Sequence, residues 1–248
     1  MKEADFLEKM IAEMQARLAH LERQKNNTSK KQVNPKFKTT IILDAGHGGM
    51  SPEGKYVTAP SKMWMHPKGA FHEGKTFFEG VFNRIIVQKL IQRLEQEGIP
   101  HFEVAHSWKD TPLHSRCWKA NELNRQLIQQ GKKSVYFSIH GNASENTSAR
   151  GWLVFVSKKA SNDSKKLATF LAKQTKLLSP IVKVKQERPD CLFWRANYKV
   201  LSSTAMPAIL SENLFFTNYE DTLLMMSKEY QNQCVEAHLQ TALFAQDL

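Results

Sequence analysis

Four side chains in this 248-residue chain combine types and settings that hydrolytic chemistry uses: His47, Glu79, His140 and Glu212. His47 lies in the glycine-rich turn Asp44-Ala45-Gly46-His47-Gly48-Gly49, Glu79 opens a long helical pattern, and His140 follows the apolar run Val135 to Ile139. Each sits where a strand ends or a helix begins, the edge at which α/β proteins collect reactive groups. Two imidazoles and one carboxylate are a common ligand set for hydrolytic zinc, leaving one tetrahedral position for water. The metal brings that water's pKa toward ~7, so hydroxide is available at neutral pH. Taken singly, each residue has an ordinary explanation: a histidine in a turn is usually just hydrogen-bonded, and a glutamate in a first helical turn answers the helix dipole. Glu212 resists such an account. It ends the buried apolar run Ala208-Ile209-Leu210-Ser211, where a carboxylate has little structural reason to exist unless it is paired or working.

These residues must be positioned by the elements around them. Thr39 to Leu43 is β-branched and apolar and reads as a strand entering the His47 turn. Ile85, Ile86, Leu90 and Leu94 recur at helical spacing from Glu79 to Glu97, with Gly98 as the stop. Further along come a strand near His101 to Ala105, a helix from about Leu113 to Gln130, and a strand from Ser134 to Ile139. A strand from Trp152 to Val156, a helix from Ser164 to Leu178 and an edge strand at Ile181 to Val184 follow. After the strand Ala208 to Ser211, one helix is expected from Tyr219 toward Phe244. Strands alternating with helices predict an α/β fold: a single layered domain over 39–248, with a twisted, mostly parallel sheet of about six strands flanked by helices.

Two segments precede that domain. Leu7, Met10, Ile11, Met14, Leu18 and Leu21 form one apolar stripe, so residues 1–26 read as an amphipathic helix. It either packs on the domain or pairs as a short coiled coil, making residues 6–21 a site for homo-oligomer formation or partner docking. Residues 27–38 read as a basic linker; Lys25 to Lys38 holds five lysines and no acid.

Composition narrows the partners. A net charge of +11 favours a polyanion such as nucleic acid, an anionic membrane or a cell wall. The lysines are dispersed or gathered in the linker, which argues against nucleic acid. Three separated cysteines form neither a disulfide framework nor a metal knuckle. No apolar stretch has the ~20 residues of a transmembrane segment, and the first residues lack the apolar core of a secretory signal. Cytoplasmic synthesis is therefore expected.

The motifs together resemble the zinc-dependent N-acetylmuramoyl-L-alanine amidases of bacterial cell walls. Ile42 to Gly49 is similar to that family's opening signature, and Glu79 with Asn83 to its second; Arg116 and Asn121 sit as its middle helix would place them. Ser138-Ile139-His140-Gly141-Asn142 with Gly151-Trp152 resembles the third, and Met206 to Asn213 through Asn218 the last. The resemblance runs from about Thr40 to Phe244. It implies Zn2+ held by His47, Glu79 and His140, with Glu212 as the carboxylate that takes a proton from the attacking water and passes it to the departing amine. It implies peptidoglycan as substrate, cut between N-acetylmuramic acid and the L-alanine of the stem peptide. A phage or prophage endolysin fits the expected localisation: action on the wall after membrane breach, or as part of a phage-like particle. A zinc peptidase cutting within the stem peptide and a non-enzymatic protein on the same fold are the alternatives.

Departures from the family pattern mark where this chain differs. Gly141 replaces the usual alanine, and Ser202 and Ser203 stand where many relatives carry an arginine, a role that Arg195 or Arg188 would then supply. The stretch from about 50 to 78 is unusually long and carries Tyr56, Trp64, His66, Phe71, His72 and Glu73. Glu73 is a rival to Glu79 as ligand. Trp64 and Phe71 either line a substrate groove, or a lid over it, or form a satellite core, the last being favoured. Asn142, Arg195 and Trp64 are the candidate substrate-binding residues.

If residues 1–26 pair chains, light scattering will give a dimer or larger species for the full chain and a monomer once residues 1–36 are removed. The same monomer mass for both would exclude pairing.

Overall fold

The computed structural model describes residues 36–58 and 60–248; the amphipathic helix expected at 1–26 and most of the linker lie outside them. Strand β1 (Thr39–Ala45) is buried along its whole length, and its alternate side chains enter two different cores. Ile41, Leu43 and Ala45 face one side, where they meet Val135, Phe137 and Ile139, whereas Ile42 faces the other with Tyr136. Both faces of a parallel strand are covered by helices, so a continuous apolar run is what the position demands.

An excursion then carries a two-stranded antiparallel hairpin, β2 (Met63–Met65) and β3 (Thr76–Phe78), before α1 (Glu79–Glu97). The chain continues through β4 (His101–Glu103), α2 (Leu113–Gln129), β5 (Lys133–Asn142), β6 (Leu153–Val156) and α3 (Asn162–Leu178). It closes with β7 (Trp194–Arg195), α4 (Lys199–Ser202), β8 (Ala208–Phe215), α5 (Tyr219–Met226) and α6 (Lys228–Phe244). The six-stranded sheet has the order β4-β1-β5-β8-β6-β7, and only the β6–β8 pairing is antiparallel. The layered, mostly parallel α/β architecture is thus the one expected. Buried residues of α1, α3 and α6 cover one face of the sheet, and those of α2 and α4 the other.

Local chemistry accounts for two corrections. The edge strand expected at Ile181 to Val184 makes only a bridge between Trp152 and Val184, and Ile181 is 74% exposed. Val182 fills the core from a loop, and the sheet edge is taken by β7, in register with Phe155 and Val156. The final helix is two helices. Ser227 adopts an extended conformation, and its hydroxyl accepts from the Tyr230 N–H at 3.2 Å, so it caps α6 rather than continuing α5.

The long segment at 50–78 is divided in its role. His66 Nε2 donates to the Phe216 carbonyl (3.1 Å), and Phe71 packs on His66 and Tyr219 against the main core, not in the separate satellite core expected. Trp64 does not join them. It is 37% exposed between the exposed Met63 and Met65.

Beneath the central strands a buried network fixes one proton. His238 Nδ1 faces the Cys234 carbonyl at 2.8 Å, so it must carry the hydrogen, and Nε2 accepts from the Ser211 hydroxyl at 3.0 Å. Burial lowers the imidazole pKa to about 4, against an ordinary 6.5. Since the unfolded chain binds this proton more readily, the stability it contributes is complete above pH 6.5 and is lost as pH falls toward 4. Thermal unfolding midpoints of the wild type should fall across that window, and His238→Gln should flatten the slope; an unchanged slope would show that His238 is not the group responsible.

Candidate active site

Three adjacent parallel strands end at one place. β1 leads into His47 two residues beyond Ala45, β5 carries His140, and β8 carries Glu212, which is the register partner of His140. Glu79, the first residue of α1, projects into the same spot and is 1% exposed. Its Oε1 lies 3.2 Å from His47 Nε2 and 3.1 Å from His140 Nδ1. The two rings stand edge to face, 4.9 Å between centroids. One donor atom from each of His47, Glu79 and His140 falls within 4.8 Å of the others, a group able to hold a metal ion. Glu73, the rival carboxylate, is exposed in the turn of the β2–β3 hairpin and bridges to Thr76.

The backbone around His47 is held under constraint. His47 has φ 61°, a left-handed conformation uncommon for a residue with a side chain. Its carbonyl accepts from Arg84 Nη2 at 2.8 Å and from Arg116 Nη2 at 2.9 Å. Arg116 also donates to the Ala45 and Thr111 carbonyls (2.6 and 2.7 Å) and pairs with Asp44, both partners being buried. Burial alone would raise the Asp44 carboxyl, but Arg116, His140 and the Ser138 hydroxyl more than offset it and hold it below its ordinary value. Gly46 is required here. A Cβ at that position would come within 2.2 Å of the His140 ring.

The first turn of α1 is finished by the preceding loop, since Phe78 at the cap position supplies no side-chain acceptor. The Gly80 N–H donates to the Tyr56 hydroxyl at 2.9 Å, and the Phe78 N–H to His72 Nδ1 at 2.8 Å. Asn83, one turn beyond Glu79, donates to the Gly46 carbonyl at 3.1 Å and tethers the helix to the His47 turn. Asn121 does similar work further away, joining α2 to the Ser203 carbonyl and the Ala205 N–H, both at 2.8 Å. Gly141 accepts its departure from the family pattern easily. An alanine methyl would meet the flexible end of Met225 at 2.9 Å.

The two carboxylates differ in state. Burial would raise Glu79, but the imidazoles of His140 and His47 hold it below the usual carboxylate range. Glu212 goes the other way, pushed well above its ordinary value by burial and by the Glu79 charge, with Lys62 partly opposing. Both have one buried oxygen, Glu79 Oε2 and Glu212 Oε2, without a hydrogen-bond partner. Behind them Asn213 donates to the His140 carbonyl at 2.9 Å and accepts from Trp152 Nε1 at 2.9 Å, so the strands bearing His140 and Glu212 are locked together.

Of the other sequence candidates, Asn142 ends β5 two residues past His140, and its side chain accepts from the Ala143 N–H at 2.8 Å. Arg195 is engaged with Glu187 and lies over the Phe193 ring. Arg188 pairs with Asp190. Trp64 stands on the exposed hairpin. Sequence reasoning missed Arg84 and Lys62. Arg84 directly follows Asn83 in α1, a position that was available to read, whereas Lys62 is one lysine among 35 basic residues and carries no local signal.

A layered α/β sheet that brings two imidazoles and two carboxylates to the ends of adjacent parallel strands defines a protein of the amidohydrolase type. The family profile described as N-acetylmuramoyl-L-alanine amidase matches residues 41–242, and the chain belongs to that family. Among solved structures, an N-acetylmuramoyl-L-alanine amidase from Clostridium difficile 630 is 25% identical with a TM-score of 0.64, covering 84% of this chain and 97% of that one. Amidase AmiC2 of Nostoc punctiforme is 22% identical with a TM-score of 0.63, covering 85% and 98%. An endolysin of Bacillus phage SPP1 is 23% identical over 208 residues, 80% of this chain and 62% of the endolysin.

The Asp44–Arg116 pair generates a stability prediction. Arg116→Ala strands a buried carboxylate and should cost about 3–5 kcal/mol in urea unfolding. The double variant Asp44→Ala/Arg116→Ala should cost less than the two single variants added together; strict additivity would show that the pair does not act as a unit.

Proposed function

We propose that this protein is a zinc-dependent peptidoglycan hydrolase that cuts the amide between N-acetylmuramic acid and the L-alanine of the stem peptide, and that it serves lysis of a bacterial wall. The observation that carries this reading is the convergence of His47, Glu79 and His140 on one point with Glu212 beside them in register. The donors fit zinc: two imidazole nitrogens and a carboxylate of lowered pKa, whose Oε2 is buried without a hydrogen-bond partner. When bound, zinc supplies a Lewis acid for the scissile carbonyl and makes water a nucleophile near neutral pH.

The protein's own groups do the rest. Glu212, raised by burial and by the Glu79 charge, is the more basic carboxylate of the two. It takes the proton of the attacking water and returns it to the leaving amine of L-alanine. Asn213 holds Glu212's strand against His140, which keeps base and ligand in step. Asn142 and the exposed Trp64 serve as substrate contacts, the one two residues past His140 and the other on the hairpin that precedes α1. Arg195, engaged by Glu187, serves more remotely as a wall contact.

Lysis is supported by the likeness to the phage endolysin and by the net charge of +11, which suits an anionic wall. Among the described residues no helix is long and apolar enough to cross a membrane. Delivery after membrane breach, or within a phage-like particle, follows from that role.

Glu212→Gln should reduce clearing of wall suspensions by on the order of 10²–10⁴-fold, with metal content by atomic emission unchanged, whereas Glu79→Ala should lose the metal. Mass spectrometry of wild-type digests should find new L-alanine amino termini. New ends inside the stem peptide would replace the amidase reading with a peptidase.

A further inference from the structure

The long loop before α1 does more than cap the helix. Its short 3-10 helix at Pro60–Lys62 directs the Lys62 ammonium to 4.0 Å from Glu79 Oε2. That distance is an ion-pair approach without a hydrogen bond, and among the described residues no oxygen lies within hydrogen-bond reach of Nζ. Lys62 is one-third exposed, so one side faces the buried carboxylate and the other faces solvent. Its field also reaches Glu212.

The mounting is firm. Tyr56 donates its hydroxyl hydrogen to the Lys62 carbonyl at 2.9 Å, while the same oxygen accepts from Gly80 N–H and the ring stacks on Phe78 at 4.3 Å. Lys62 is thereby fixed to the first turn of the helix that presents Glu79. The other cations near the site, Arg84 and Arg116, are consumed by backbone carbonyls and Asp44 behind His47.

Resting on the amidase reading above, we propose that Lys62 is a specificity-determining residue that binds a carboxylate on the stem-peptide side of the scissile amide. Charge and chemistry decide the side. The lactyl carboxyl of N-acetylmuramic acid is consumed in the amide, so the glycan offers no anion there, whereas the residue after L-alanine carries either a free carboxylate or its carboxamide. A divalent ion held by His47, Glu79 and His140 neutralises Glu79, which leaves the Lys62 charge for an incoming anion. Directly after Lys62, the exposed strip Met63-Trp64-Met65 borders, with Glu73, Lys75 and Phe78, a groove of about 600 Å³ that lies beside Lys62 and is not lined by it. A cation followed by an apolar strip matches a short peptide bearing one carboxylate among aliphatic side chains.

The test uses the full chain loaded with zinc, and disaccharide muropeptides that differ only in a carboxylate or carboxamide on the residue after L-alanine. Binding is measured by calorimetry in the Glu212→Gln background, and cleavage by kcat/KM with Glu212 intact. The carboxylate form should bind roughly tenfold or more tightly than the carboxamide, in line with a charged hydrogen bond. Lys62→Met should remove that preference while leaving carboxamide binding within about twofold, and Lys62→Arg should restore most of it. Equal binding of both forms, or an equal loss for both in Lys62→Met, overturns the assignment even if both are cut at the muramoyl bond. Failure of the wild type to cut either at that bond overturns the amidase reading as well.

Discussion

A carboxylate buried to 1% exposure at the start of a helix is the constraint on which this site depends. An unpaired charge in that position would be costly enough to neutralise itself or unfold its surroundings. Glu79 escapes this because both imidazoles converge on one of its oxygens and Lys62 approaches the other. That solution requires β1 and β5 to end, and α1 to begin, within a few ångströms of one another. The sheet order, with β1 and β5 adjacent and parallel, makes that possible, and the tether from Asn83 to Gly46 aligns the helix with the turn.

The His47 turn bears the cost of this convergence. A left-handed backbone at a residue with a side chain is held only when its surroundings over-determine it, and here two guanidinium groups close on the His47 carbonyl. Leu214, two residues beyond Glu212, has φ 67° and is almost fully buried. Positive φ at non-glycine residues occurs at these two positions among the described residues, one beside each side of the site. The polar groups that support the strain are therefore part of the site's geometry, although the two guanidinium groups touch none of the three donor atoms.

How much of this was legible in the sequence follows from whether the determining interaction is local. Strand β1 could be read because it is a continuous β-branched and apolar run, helix α1 because its apolar residues recur with a period of 3.6, and His140 because it directly follows an apolar run. The edge strand at Ile181 to Val184 misled because two valines can fill a core from a loop as well as from a strand, and only backbone pairing tells the two apart. The break at Ser227 was hidden because a serine is tolerated inside a helix and also caps one. Pairing of Arg116 with Asp44, 72 positions apart, and the reach of Lys62 to Glu79 depend on long-range closure that no local pattern encodes.

The segment at 50–78 shows why an insertion beside a catalytic geometry need not disturb it. Its inner residues satisfy donors that α1 would otherwise leave open: Tyr56 and His72 serve the N–H groups of Gly80 and Phe78, and His66 fastens the loop to the Phe216 carbonyl beyond β8. Its outer residues, Met63, Trp64 and Met65, remain exposed. The loop is thus bound to the fold by inward polar groups together with the buried Phe77 and Phe78, and alongside its exposed charged residues it presents one apolar strip outward. Burying those apolar side chains would favour the fold, so their exposure is not explained by stability. A structural role accounts for the inner residues Tyr56, His66 and His72, and the exposed strip Met63-Trp64-Met65 is where the proposed substrate contact of Trp64 would fall.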